Sequence, residues 1–329
     1  MTHELKLSIV AAAATYMAEK NLSLNELCRQ SNINVGYLSP MLRNQFLVLV
    51  KDKQAAIAPK WFETLARYIG FPITDAIWKT IATRQFVAQI AAIQGSKNAC
   101  KTAMIIGSTG AGKTYNTNVF CNKEPLHTYR ITVSSLYKLV DIINELTEKL
   151  DVNLQTIDRF KMDTRSIKIR VDRIVAKLID IKRNGGNPII IFDEGENMEM
   201  GVLKMLKGLY DALNGHCGIT VIGTEQLLNK LLNLRKRNRD AIPQLYRRFK
   251  AGMVMLPALN KQVDFLPFFE AFNVEPALRK LLTDICDNYG ELYDYLEPSI
   301  REAQRLNKPL TEQLFRTINN ISNNKMKAA

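Results

Sequence analysis

Between residues 103 and 256 short apolar runs alternate with longer stretches whose apolar residues recur every three or four positions. The runs are AMIIG (103–107), YRITV (129–133), PIIIFDE (188–194) and ITVIGT (219–224), with a shorter one at Met253–Leu256. Bounded runs of this length, separated by amphipathic helices, predict buried parallel strands of an α/β sheet. The first 72 residues predict a small all-helical unit. Leu5, Ile9, Ala12, Tyr16 and Met17 share a helical face, and Ser23 with Glu26 three residues on is a capping-box signature. The turn SNIN follows, and Asn34 caps a second short helix through Val35, Leu38 and Leu42. Those proportions are those of a helix-turn-helix, whose groove-facing residues would be Asn34, Gly36, Tyr37, Ser39 and Arg43, and a small helical bundle that does not touch DNA is the alternative. PKWFETLARYIGFP closes the unit, its aromatics reading as core and Gly70 with Pro72 as stop signals. A further helix is expected from Thr74 to about Ile93, and from Pro257 onward the pattern is helical again. Three domains are therefore expected, at 1–72, 73–256 and 257–329.

The composition narrows the partners. With 47% hydrophobic residues the chain of 329 can bury one large core or several modest ones. A formal net charge of +13 attracts polyanions, nucleic acid first and an anionic membrane surface second. Basic residues gather in RFKMDTRSIKIRVDR, contributing Arg159, Lys161, Arg165, Lys168, Arg170 and Arg173, and in KLLNLRKRNRD, contributing Lys230, Arg235, Lys236, Arg237 and Arg239. Such clusters suit contact with a phosphate backbone, and a solvated helix face is the alternative. Five dispersed cysteines without a C-x-x-C pair, and three histidines that form no cluster, predict reduced thiols and no zinc site. The Ala-rich start carries Glu4 and reads as a helix rather than a leader. No apolar stretch approaches the ~20 residues a bilayer requires. A cytoplasmic protein that does not enter a membrane is expected.

The chemistry sits after the first strand. GSTGAGKT, Gly107 to Thr114, is G-x-x-x-x-G-K-T between a predicted strand and a predicted helix, the context that marks a phosphate-binding loop. Gly107, Ser108, Thr109, Gly110, Ala111, Gly112, Lys113, Thr114 and Tyr115 are the expected nucleotide contacts. Successive N–H groups and the helix N-terminus would cradle phosphates, with Lys113 reaching the β- and γ-phosphates and Thr114 a Mg²⁺ ion. IIIFDE ends a strand with Asp193, a second Mg²⁺ ligand, and Glu194, which would orient or deprotonate the attacking water. Thr224, at the end of ITVIGT, could meet the γ-phosphate. In LYRRFKAGMVML, Arg247 or Arg248 could reach the triphosphate of a neighbouring subunit. ATP and Mg²⁺ are the expected cofactors.

The order of phosphate loop, IIIFDE, ITVIGT and RRF, followed by a helical segment, resembles the AAA+ ATPases. With the amino-terminal helix-turn-helix and the VIGTEQL…RRF stretch, most of the chain resembles the target-selecting ATPases of phage Mu, Tn7-like and insertion-sequence transposition. The resemblance implies an AAA+ core with a helical lid, an ATPase that assembles into filaments on double-stranded DNA, and recruitment of a transposase. By the same resemblance Thr224 would be the first sensor and Arg247 or Arg248 the arginine finger. One departure stands out. The lid of such families often offers G-x-x-R to the nucleotide, whereas Gly290, Glu291 and Leu292 are followed here by Tyr293, so either the second sensor is absent or Arg301 or Arg305 serves in its place. A helicase loader that prefers single strands, and a helix-turn-helix transcriptional regulator, are the competing readings.

Overall fold

The computed structural model describes residues 3–50, 53–71, 78–152, 166–237 and 242–322. They form two compact units, Met1–Lys79 and Thr80–Ala329.

The first unit begins with α1 (His3–Lys20), α2 (Leu24–Ser31) and α3 (Val35–Leu42). Ser23 starts α2 through a reciprocal cap: the amide of Glu26 donates to Ser23 Oγ, and the amide of Ser23 donates to Glu26 Oε2. Asn32 ends α2 in the left-handed region, and Asn34 opens α3 by accepting the amide of Gly36. The unit is not all helical as the apolar periodicity implied. A hairpin of β1 (Leu47–Val50) and β2 (Lys53–Ala56) precedes α4 (Pro59–Ile69). Its first strand is the run LVLV, in which the β-branched valines favour extended backbone over helix. Ile9, Val10, Ala13, Leu27, Ile33, Leu38, Met41, Phe62 and Leu65 form its core.

In the second unit the sequence pattern extends a helix too far toward the amino terminus. Residues 78–83 are not helical, residues 72–77 lie outside those described, and α5 runs Arg84–Ala99. Thr83 sets the start by accepting the amide of Phe86 at 3.1 Å. There follow β3 (Thr102–Ile106), α6 (Lys113–Lys123), β4 (Thr128–Thr132), α7 (Leu139–Lys149), α8 (Ile167–Arg183), β5 (Ile189–Asp193), α9 (Met200–Leu213), β6 (Gly218–Gly223), α10 (Glu225–Lys236), α11 (Ile242–Lys250) and β7 (Met253–Met255). The chain closes with α12 (Lys261–Asp264), α13 (Leu266–Ala271), α14 (Pro276–Ile285), α15 (Tyr289–Arg305) and α16 (Glu312–Ile318), all within the same compact unit. Among the described residues no helix is long and apolar enough to cross a membrane.

The five strands pair in parallel in the order β4-β5-β6-β3-β7. Alternate side chains serve opposite faces. Met104, Ile106, Ile190, Phe192, Ile219 and Val221 pack with apolar residues of α7 to α11, whereas Ile105, Ile189, Ile191 and Ile222 pack with Ile93 of α5 and Phe120 of α6. With both faces dry, the three central strands β5, β6 and β3 are largely apolar throughout. The edge strand β7 approaches so closely that a Cβ on Gly252 would lie 2.2 Å from the carbonyl oxygen of Thr102. Gly252→Ala is expected to lower stability by about 1–3 kcal/mol, as overpacking against rigid backbone does. An unchanged denaturant midpoint would show that β7 shifts without cost.

Candidate nucleotide site

The loop between β3 and α6 is shaped by its glycines. Gly110 and Gly112 both take φ +76°, a region that side-chain-bearing residues rarely occupy. Gly107 lies so near Leu256 that a Cβ would come within 2.7 Å of its Cδ1. Gly112 is the residue before α6 and offers no side-chain cap, so the first amides of the helix face the loop. Ser108 and Thr109 are exposed, Ala111 is buried, and Lys113 bends back to donate to the carbonyls of Gly107 (2.9 Å) and Ser108 (2.8 Å). Burial pulls the Lys113 ammonium pKa down, against the opposing charges of Glu196, Asp193 and Glu194. Thr114 is exposed and its hydroxyl makes no hydrogen bond to a described residue. The Tyr115 hydroxyl is 2.7 Å from that of Thr80.

Two buried glutamines of α5 hold this apparatus in place. Gln89 donates to the carbonyl of Lys113 (2.7 Å) and to Thr117 Oγ1 (2.9 Å), and accepts from Asn116 (3.0 Å). Gln85 accepts from the hydroxyl of Tyr289 (2.8 Å), whose backbone amide donates to the carbonyl of Gly110 (3.1 Å). The amino terminus of α15 thus rests on the phosphate loop, and burial pushes the Tyr289 phenol up to about 12. Arg301 and Arg305 lie ~18 and ~24 Å further along α15 at 1.5 Å per residue. They bind Glu297 and Glu302 on their own helix, so neither replaces a lid arginine at the loop.

Asp193 ends β5 and is 1% exposed. Its Oδ2 meets the guanidinium of Arg130 at 2.7 Å, and its Oδ1 accepts the amide of Glu194 at 3.0 Å. Glu194 adopts φ +57° and is exposed; its Oε2 accepts from Asn197 at 3.3 Å. A third carboxylate, Glu196, accepts the amide of Thr224 at 3.3 Å. Sequence reasoning passed over Arg130, Glu196 and Asn197; the second acid in DEGEN was the only signal of Glu196, and Arg130 gave none. Thr224 follows β6, and its hydroxyl is buried with no hydrogen-bond partner among the described residues.

Strand order brings these groups together. β6 lies between β3 and β5, so Lys113, Thr224 and Asp193 follow the carboxyl ends of three adjacent strands. The residues fit a nucleoside triphosphate with Mg²⁺: a glycine-shaped cradle at a helix start, a lysine bound only to loop carbonyls, a buried carboxylate, and an orphaned hydroxyl beside them.

The basic residues divide. Lys230 is not part of a surface cluster: its ammonium turns inward and donates to the carbonyls of Glu196 (3.0 Å) and Met198 (2.6 Å), bracing the loop after β5. Arg248 is likewise turned inward, paired with Asp211 at 2.5 Å and stacked over Tyr210, whereas Arg247 is exposed and makes no ion pair with a described residue. Arg235 stacks on Tyr246, while Lys236 and Arg237 are exposed. Lys168 pairs with Asp172 in solvent, Arg170 binds Asn144, and Arg173 is half-buried. Arg159, Lys161, Arg165 and Arg239 lie outside the described residues. In the first unit the Asn34 side chain serves as the cap of α3, Tyr37 stacks on Trp61, and Arg43 donates to Ser39.

Residues 97–232 match the family model described as an AAA domain. The chain is also similar to the Mu-like prophage FluMu DNA transposition protein B of Haemophilus influenzae, at 20% identity over 226 residues, covering 68% of this chain and 72% of that protein. The five-stranded parallel sheet flanked by helices fits a P-loop AAA core. In such a core Thr224→Val is expected to leave unfolding stability unchanged or slightly higher, because the hydroxyl it removes has no partner. A fall of about a hundredfold or more in phosphate release from ATP would identify the hydroxyl as a transition-state donor. Loss of stability with intact turnover would assign the hydroxyl a structural role instead.

Proposed function

We propose that the chain is an ATP- and Mg²⁺-dependent AAA+ ATPase that binds double-stranded DNA with little regard to sequence, assembles into filaments on it, and presents it to a transposase. The observation that carries this reading is the meeting of Lys113, Thr224 and Asp193 around the Gly107–Thr114 cradle. The similarity to a DNA transposition protein B supplies the biological setting.

In this reading Lys113 leaves its two loop carbonyls for the β- and γ-phosphates, and Thr114 and Asp193 hold Mg²⁺. The bound ion would neutralise charge on the phosphate oxygens. Thr224 would donate to the γ-phosphate, and Glu194, once released from Asn197, would take the proton of the attacking water. The exposed Arg247, rather than the half-buried Arg248 that is paired with Asp211, would act on the triphosphate of a neighbouring copy, making ATP a condition of assembly. Assembly would multiply weak contacts from Lys236, Arg237 and the basic residues of α8 into avid binding. The helix-turn-helix of the first unit would add a further DNA contact, and the helices after Pro257 would form the lid.

The test is binding to random-sequence duplex with ATP and with ADP, read by anisotropy and by negative-stain microscopy. ATP-dependent filaments, lost in Lys113→Ala and weakened roughly 10³-fold or more between 50 and 200 mM salt, are expected. Binding to one sequence whatever the nucleotide would replace this reading with a regulator, and preference for single strands with a helicase loader. Within the same assay Arg247→Ala should abolish assembly with stability unchanged within about 0.5 kcal/mol. Arg248→Ala should instead destabilise the fold by about 1–3 kcal/mol through the loss of its Asp211 pair and Tyr210 stack.

A further inference from the structure

Asp193, the carboxylate best placed to hold Mg²⁺, already carries a cation of the protein's own. Arg130 projects from β4, the strand beside β5, and sets Nη2 2.7 Å from Asp193 Oδ2. The pair is sequestered, with side-chain exposures of 18% for Arg130 and 1% for Asp193. The guanidinium is also anchored from a second side, since its Nη1 donates to Asn118 of α6, the helix that follows the phosphate loop. Asp193 itself needs little help with orientation: it ends a fully buried strand, and Oδ1 accepts the amide of Glu194.

We propose that Arg130 is a positioning residue that acts as the resident counter-cation of Asp193, keeping the carboxylate closed to free Mg²⁺ and admitting the ion only together with a triphosphate. This rests on the nucleotide reading of the loop given above. A dication approaching Oδ2 meets the fixed positive charge of Arg130 in a poorly solvated site, where like charges repel strongly. The negative charge of a triphosphate offsets that repulsion. Because strand and amide already orient Asp193, loss of Arg130 removes the repulsion without scattering the ligand. The arrangement makes metal and nucleotide binding mutually dependent, and it satisfies the buried carboxylate while the site is free.

The experiment is a Mg²⁺ titration of the binding of a fluorescent, non-hydrolysable ATP analogue to the full chain, followed by anisotropy. Wild type, Arg130→Gln and Arg130→Lys are compared, with thermal unfolding in EDTA alongside. Arg130→Gln should lower the Mg²⁺ midpoint tenfold or more while lowering the unfolding temperature in EDTA. Arg130→Lys, which keeps the charge, should hold the midpoint within about threefold of wild type. An unchanged or raised midpoint in Arg130→Gln overturns the proposal, as does an equal fall in both variants. Should Arg130→Gln not fold, Asn118→Ala loosens the guanidinium from its second anchor and should lower the midpoint in the same direction; no change overturns the proposal. Failure of the wild type to bind the analogue at any Mg²⁺ concentration would instead sink the nucleotide reading itself.

Discussion

A parallel sheet whose central strands are covered by helices on both faces offers polar chemistry chiefly at the ends of those strands, and much of this structure follows from that constraint. Ile189, Ile190, Ile191 and Phe192 are all buried, two on each face, so the first polar side chain the strand can present toward its carboxyl end is Asp193. β3 likewise runs apolar from Ala103 to Gly107, and β6 reaches Thr224 with its apolar sequence interrupted at the buried Thr220. Three strands that each run out of apolar sequence at the same edge deliver a glycine loop, a hydroxyl and a carboxylate to one place.

That edge is held by polar groups that are themselves buried. Gln85 and Gln89 stand one helical turn apart on α5, and between them they bind the start of α6 and Tyr289 at the start of α15. Gln85 also donates to Asp264, which is paired with Arg84. The phosphate loop is therefore gripped from below by α5 and from the side by α15. Buried networks of this kind are costly when incomplete, which favours a single arrangement of these helices.

Strands, phosphate loop and acidic pair were legible in the sequence because each is local: a run of four or five apolar residues, or a motif within eight positions, reports on itself. The features that escaped are those in which one segment answers another. The hairpin of the first unit was hidden because LVLV is apolar in either secondary structure, and the start of α5 because Ile77, Trp78 and Ile81 continue a helical spacing that Thr83 interrupts. Arg130 lies 63 positions from Asp193, and Lys230 lies more than 30 from the carbonyls it braces, so neither pairing leaves a trace in the order of residues. Net charge alone could not separate the exposed Arg247 from the engaged Arg248 next to it, since burial and not composition decides which cation is available.

The position of β6 carries a last consequence. By lying between β3 and β5 it holds the lysine loop and the acidic strand two interstrand spacings apart, about 9–10 Å. Lys113 folds back on its own loop and Asp193 turns to Arg130, so neither of these two side chains reaches across to the other. The site is therefore a ruler as much as a cradle. Its two walls are fixed by hydrogen-bonded strands that do not stretch, so a ligand must match their spacing and cannot set it.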